Sequence, residues 1–266
     1  MDFPIGIFDS GIGGLTVYSA IRRRLPGNRI LYLGDTARVP YGTKSTQTII
    51  KYSIENTAFL LRRGVRLVVV ACNTSSAVSL PSLQSQVPVP VVGVIRPGAA
   101  SAVSRSRSRR IGVLGTEATI RSQAYLRALK ELDPNVRVFM QACPLFVPLV
   151  EEGWLDHDVT RRVASIYLGG MRTHDIDTLV LGCTHYPLIK GAIADALELD
   201  GGGRVDVIDS ADAAADQVAD MATAVDGGAG LSEFFVTDSA ARFRRVAELF
   251  LGKLRGTVTE VDVVHD

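Results

Sequence analysis

Leu67-Val68-Val69-Val70-Ala71-Cys72-Asn73-Thr74 and Thr178-Leu179-Val180-Leu181-Gly182-Cys183-Thr184-His185 are two versions of one pattern: a short apolar run, then a cysteine, then hydrogen-bonding residues. A run of this length, rich in aliphatic and β-branched side chains, reads as a strand buried on both faces, the form strands take in parallel sheets. The residues after each cysteine suit a helix start. Open α/β sheets carry their chemistry at such strand-to-helix junctions, at the C-terminal ends of the strands. Two thiols presented to one substrate would be equipped to move protons.

Outward from these stretches, apolar runs alternate with segments of helical periodicity. Strands are expected at 5–8, 30–33, 67–70, 89–94, 111–114, 137–140, 178–181 and 205–208. Helices are expected at 14–25, 45–63, 74–86, 119–132, 158–171 and 187–199. The alternation predicts parallel sheets covered by helices. In the second helix Ile50, Ile54, Ala58 and Leu61 recur at helical spacing, and Gly64 stands just past the end as a stop. The tail continues with an alanine-rich helix from Ala211, a strand near Phe234-Phe235-Val236, a helix over 240–250 and an alternating run over 257–264.

The strands fall into two similar halves. Ile5-Gly6-Ile7-Phe8-Asp9-Ser10 opens one and Ile111-Gly112-Val113-Leu114-Gly115-Thr116 opens the other, and each is followed at a comparable distance by its cysteine. A duplicated α/β unit is the expectation, with a ligand held between the halves so that it meets one cysteine from each. Gly93-Val94-Ile95-Arg96-Pro97-Gly98-Ala99 has the proline and glycines of a crossing between domains.

The composition agrees. With 266 residues, 47% hydrophobic and 21% charged, the chain can bury a full core in one or two domains. A formal net charge of +1 points away from nucleic acid and acidic membranes, and Arg105-Ser106-Arg107-Ser108-Arg109-Arg110 reads as a solvated connection. No apolar run approaches the roughly 18 residues of a membrane span, and the N-terminus lacks the pattern of a secretory signal, so a cytoplasmic protein is expected. Three cysteines do not read as a disulfide framework. Zinc is not expected either, because Cys183 and His185 are the one close ligand-type pair and a structural site needs four ligands. Gly11, Gly13 and Gly14 miss the dinucleotide fingerprint, since Thr16 stands where its third glycine belongs.

A thiol ionises at about 8.5 in water, and helix N-termini, cations or hydrogen bonds lower that value. One thiolate and one thiol on opposite faces of a tetrahedral carbon could remove a proton from one side and deliver one to the other, inverting the centre. Asn73 and Thr74 are N-cap residue types, and Pro187 suits the first turn of the helix after Cys183. The resulting helix starts could hold carboxylates. A buried cysteine at a strand end is most often a small apolar residue, but two in matched contexts favour a shared role. Cys143 lacks the polar sequel and reads as structural, and His157, His174 and His265 read as surface residues. Asp9 and Asp35 each follow a strand, where capping a turn is the competing reading. Glu151 and Glu152 are not separable from the pattern.

Asp9-Ser10-Gly11-Ile12-Gly13-Gly14-Leu15, Gly34-Asp35-Thr36 with Pro40-Tyr41-Gly42, Ala71-Cys72-Asn73-Thr74, Ala142-Cys143-Pro144-Leu145 with Glu151-Glu152-Gly153, and Gly182-Cys183-Thr184-His185-Tyr186-Pro187 occur in this order. Together they resemble the glutamate racemase family, within the cofactor-independent aspartate/glutamate racemase superfamily. The resemblance implies two pseudo-symmetric flavodoxin-like α/β domains, 1–96 with 209–266 and 97–208, with the active site between them. It also implies interconversion of L- and D-glutamate without pyridoxal phosphate or metal, supply of D-glutamate for peptidoglycan, and a homodimer.

By the same resemblance Cys72 would deprotonate D-glutamate and Cys183 L-glutamate, each being the other's acid. Asp9 and His185 would assist the two thiols, with Asp35 and Glu151 behind them. Asp9, Ser10, Tyr41, Gly42, Asn73, Thr74, Thr184 and His185, joined by Thr116 and Thr119, would bind the amino acid. Ser75 and Arg96 depart from the family pattern, which favours alanine and glutamate there. An aspartate racemase, a Cys183/His185 hydrolase and a noncatalytic binding protein are the competing readings, separated by chiral assay, release of ammonia or acid, and inhibition of a cellular partner without turnover.

Overall fold

A computed structural model of the chain describes residues 3–198, 205–225, 228 and 230–265. Its strands are β1 (Ile5–Asp9), β2 (Ile30–Gly34), β3 (Leu67–Val70), β4 (Val91–Gly93), β5 (Arg110–Gly115), β6 (Arg137–Ala142), β7 (Thr178–Gly182), β8 (Asp206–Asp209), β9 (Ser232–Val236) and β10 (Thr257–Glu260). One sheet has the order β10-β9-β2-β1-β3-β4 and the other β6-β5-β7-β8. Every pairing in both sheets is parallel. The runs β2-β1-β3-β4 and β6-β5-β7-β8 repeat one order, the flavodoxin-like arrangement in which strand order reverses beside the first strand. The expected duplication is therefore present in the topology. β3 pairs with β1 through Phe8 and Val70, and β7 pairs with β5 through Leu114 and Leu181, so Cys72 and Cys183 emerge at equivalent places.

Alternation along the strands builds a core on each face of each sheet. Ile5 and Ile7 of β1 face one cluster with Tyr32, Val69 and Phe234, whereas Phe8 faces another with Leu33, Val70 and Phe59. Each fully buried large aliphatic or aromatic side chain contributes roughly 1.5–3 kcal/mol. Covering these faces are α1 (Leu15–Arg24), α2 (Thr46–Arg62), α3 (Asn73–Gln86), α4 (Ile95–Arg105), α5 (Glu117–Arg121), α6 (Ala124–Leu132), α7 (Phe146–Glu151), α8 (Asp158–Arg172), α9 (Lys190–Glu198), α10 (Ser210–Met221) and α11 (Ala240–Leu251). Ser45 caps α2 by accepting from Thr48 N–H, and Gly64 takes φ +77° just past its end, as the sequence pattern predicts.

Several expected elements differ. The helix expected over 119–132 is two helices, broken at Ser122–Gln123, with Gln123 at φ 59°. Ser122 causes the break locally: its hydroxyl donates to Thr119 O and accepts from Ala124 N–H, replacing helical backbone bonds. The stretch 93–99, expected as a crossing, leads from β4 of one sheet towards β5 of the other, but does so as the start of α4; Pro97 lies in the first turn, where a missing N–H costs no helical bond. The helix expected over 187–199 starts as a 3-10 turn, Tyr186–Ile189, before α9, and Leu199 lies outside the described residues. Neither α7 nor the short 3-10 turns Thr36–Arg38 and Tyr41–Thr43 is anticipated by the pattern. In the basic run, Asp177 accepts from Ser106 Oγ and from the Arg107 and Ser108 N–H groups, and Arg109 pairs with Asp133. Arg96 forms an exposed ion pair with Glu131 at 3.2 Å.

Candidate active site

Cys72 is 5% exposed and occupies the N-cap of α3. Asn73 and Thr74, read from sequence as cap types, are instead its first helical residues, which frees their side chains. Cys72 Sγ lies 3.6 Å from Ser10 Oγ. Burial and the nearby Asp9 carboxylate push this thiol up to about 11, against the opposing pull of the Ser75 N–H and the Ser10 hydroxyl. The thiol is thus the resting form. Asp9, at the end of β1, accepts from Gly11 N–H at 3.0 Å through Oδ2, while Oδ1 is buried without a partner among the described residues. Burial raises its carboxyl pKa, and the His185 charge and the Gly11 and Gly14 N–H groups offset only part of that rise.

The other thiol is supported differently. No α-helix begins at Cys183; a 3-10 turn follows, with His185 at its cap. Cys183 Sγ lies 3.9 Å from His185 Nδ1, and His185 Nε2 lies 3.2 Å from Glu151 Oε1. Arg242 on α11 donates to Glu151 Oε2 at 3.2 Å. Burial by itself would lower the imidazole pKa, but the bonds to Cys183 and Glu151 outweigh it and raise it to about 10. Burial likewise works against ionised Glu151, and His185 and Arg242 reverse that, leaving its pKa lowered. His185 is therefore an imidazolium that can donate at both nitrogens. Phe250 closes the arrangement, its ring edge-on to the imidazole with centroids 5.8 Å apart.

Both thiols line one cavity, together with Ser10, Tyr41, Gly42, Asn73, Thr74, Thr116, Thr184, His185 and Glu151. The geometry also separates the two glutamates: Glu151 reaches His185, while Glu152 is exposed at the end of α7. Thr119 stands behind the wall. Its hydroxyl closes a triangle with Thr74 and Thr116 at separations of 3.3, 3.0 and 2.9 Å, tying α3 of one half to α5 of the other. The halves also meet at Gly13, where a Cβ would fall 2.3 Å from Thr184 Oγ1 and 2.4 Å from His185 Nδ1. Only a hydrogen fits there.

Asp35 sits elsewhere than a thiol-tuning role requires. It is fully buried and accepts from Arg38 Nε, the Tyr41 hydroxyl and Thr237 Oγ1, so its side chain meets the site through Tyr41, while its backbone N–H donates to Asp9 O at 3.0 Å. Cys143 is buried in the core of the second half, with its Sγ directed at Gln141 O at 3.8 Å. Sequence reading gave no role to Val39 and Val147, apolar wall residues outside the quoted motifs, to Pro40 beyond its place in Pro40-Tyr41-Gly42, or to Arg242 on the helix expected over 240–250. Among the described residues no group of three or more His, Cys, Asp or Glu is placed to hold a metal ion.

The model of the Asp/Glu/Hydantoin racemase family matches residues 5–218. Across nearly its whole length the chain is similar to a glutamate racemase of Geobacter metallireducens, with 50% identity over 267 residues covering 97% of this chain and 96% of the relative. The chain belongs to the glutamate racemase family. Solved structures of family members superpose on it closely. A glutamate racemase isoform of Bacillus anthracis has a TM-score of 0.93 at 38% identity, with 98% of each chain covered. A glutamate racemase of Francisella tularensis, solved in complex with D-glutamate, has a TM-score of 0.90 at 36% identity, again with 98% of each chain covered.

Proposed function

We propose that the protein interconverts L- and D-glutamate by proton transfer between Cys72 and Cys183, supplying D-glutamate for peptidoglycan synthesis. Family membership over nearly the full chain supports the substrate and the reaction. The observation that carries the residue assignment is that two thiols from equivalent strand ends line one cavity. In the L-to-D direction, Cys183 as thiolate takes the Cα proton while the Cys72 thiol delivers its own to the opposite face. One Cα–H bond breaks and one forms, leaving the thiols in exchanged protonation states for the reverse reaction. His185, donating through Nδ1, stabilises negative charge on Cys183, and Glu151 and Arg242 hold the imidazole in place.

The α-proton is far less acidic than a thiol, so the developing carbanion needs donors fixed in advance in a water-poor site. Thr74, Thr116 and Thr184 are placed to supply them, and Ser10, Tyr41 and Asn73 complete the wall. Replacing either cysteine by alanine is expected to nearly abolish racemisation with the fold intact. In deuterium oxide the wild-type product should carry solvent deuterium at Cα. Substantial two-way racemisation by either purified variant, or product retaining its original hydrogen, would refute the two-thiol assignment.

A further inference from the structure

Tyr125 on α6 is fully buried, and its hydroxyl donates to Asn73 Oδ1 at 2.7 Å. That bond crosses from the second half to the residue directly after Cys72. On its other side the phenol ring lies against the strand that leads to Cys183: a Cβ on Gly182 would fall 2.9 Å from Tyr125 Cε2. Ser210, the first residue of α10, packs in the same corner: a Cβ on Gly98 would fall 2.9 Å from Ser210 Cβ and 3.4 Å from the Tyr125 oxygen. Burial raises the pKa of the phenol, so the hydroxyl keeps its proton and directs it at Asn73.

The consequence falls on the Asn73 amide. With Oδ1 engaged by Tyr125, Nδ2 is the remaining end of the group, and it is buried with no partner among the described residues; Asn73 is 2% exposed and lines the cavity between the thiols. A buried amide N–H without a partner is costly, and one beside a ligand cavity is matched when the ligand brings an acceptor. An asparagine amide can otherwise turn over, exchanging donor for acceptor.

We propose that Tyr125 is a positioning residue that fixes the orientation of the Asn73 side chain so that its NH2 group donates to a substrate carboxylate. This role deepens the proposed racemase function and rests on it for the identity of the ligand. Tyr125 touches the residue beside each thiol, Asn73 and Gly182, and stands behind the wall of the cavity that both thiols line. A tyrosine on an amphipathic helix reads from sequence as ordinary core, which conceals the role.

The test is Tyr125→Phe, which removes one oxygen and retains the ring. Loss of the directed bond is expected to raise KM for glutamate about tenfold, as for one charge-assisted hydrogen bond, with kcat changed by less than about threefold. In the Asn73→Ala background the same substitution should add nothing further, because the two residues act as one unit. Independently of turnover, the Asn73 side-chain 15N–1H resonances of the unliganded protein, assigned through Asn73→Ala, should shift and exchange faster in Tyr125→Phe. Unchanged Asn73 resonances, or an equal and additive loss in the Asn73→Ala background, would overturn the proposal. A wild-type chain that fails to racemise glutamate but shows the resonance shift would instead overturn the functional reading and leave the positioning role supported.

Discussion

Gly13→Ala isolates the contact between the two halves in a single methyl group. Gly13 is not among the residues with positive φ, so alanine meets no backbone strain there; the obstacle is steric. The new Cβ would fall 2.3 Å from Thr184 Oγ1 and 2.4 and 2.5 Å from His185 Nδ1 and Cε1. Relieving such contacts to an ordinary separation of about 3.5 Å requires a shift of about 1 Å. The displaced atoms are the ones that matter, since His185 Nδ1 faces Cys183 Sγ at 3.9 Å. A displacement of that size is expected to lower kcat/KM by about 100-fold, equivalent to roughly 2.7 kcal/mol of transition-state stabilisation. Overpacking should cost about 1–3 kcal/mol of stability, partly offset by about 0.4–1 kcal/mol from the stiffer unfolded chain. Circular dichroism of the glutamate pool gives kcat/KM in both directions. The losses must match, because the enantiomers are equal in free energy. Urea unfolding gives the stability. A Gly13→Ala enzyme within about twofold of wild-type kcat/KM would refute the reasoning that this close approach sets the geometry of His185.

The imidazole of His185 is raised from 6.5 to about 10, so its contribution to stability should be complete below pH 6.5 and disappear as pH rises through about 10. The stability difference between wild type and His185→Asn, measured by urea unfolding across that window, should shrink with rising pH; a ring titration midpoint near 6.5 by NMR would contradict the assignment. Asp35→Ala should cost about 1–3 kcal/mol by taking the acceptor from the Tyr41 and Thr237 hydroxyls, Arg38 keeping Glu55 and Asn56, with KM raised through Tyr41 and kcat retained. A large fall in kcat without loss of stability would return Asp35 to a role at a thiol.

Much of the fold is legible because burial writes itself into strand sequences. β3 and β7 read as buried parallel strands since almost every residue is apolar, and repetition of the opening motif reveals that the unit occurs twice. Helix interruptions are less visible. Ser122 breaks the helix expected over 119–132 through hydrogen bonds to particular backbone groups, and Pro97 is harmless because of its place within a turn. Residue type alone does not distinguish those outcomes.

The same division runs through the site. The two cysteines, the histidine beside one of them and the glycine-rich turn could be named from the order of residues, since reactive groups and strand ends are local properties. Their different environments could not. Cys72 caps an α-helix and has its thiol raised by burial beside Asp9, whereas Cys183 precedes a 3-10 turn and faces an imidazolium held by Glu151 and Arg242. The choice of Glu151 over Glu152, the withdrawal of Asp35 behind Tyr41 and the reach of Tyr125 to Asn73 all depend on contacts between segments far apart in the chain. Sequence determined which chemical groups stand at the two strand ends and that two halves share one pattern. Tertiary structure decided what each group faces, because desolvation, charge and hydrogen bonding act through space and make two similar thiols chemically different.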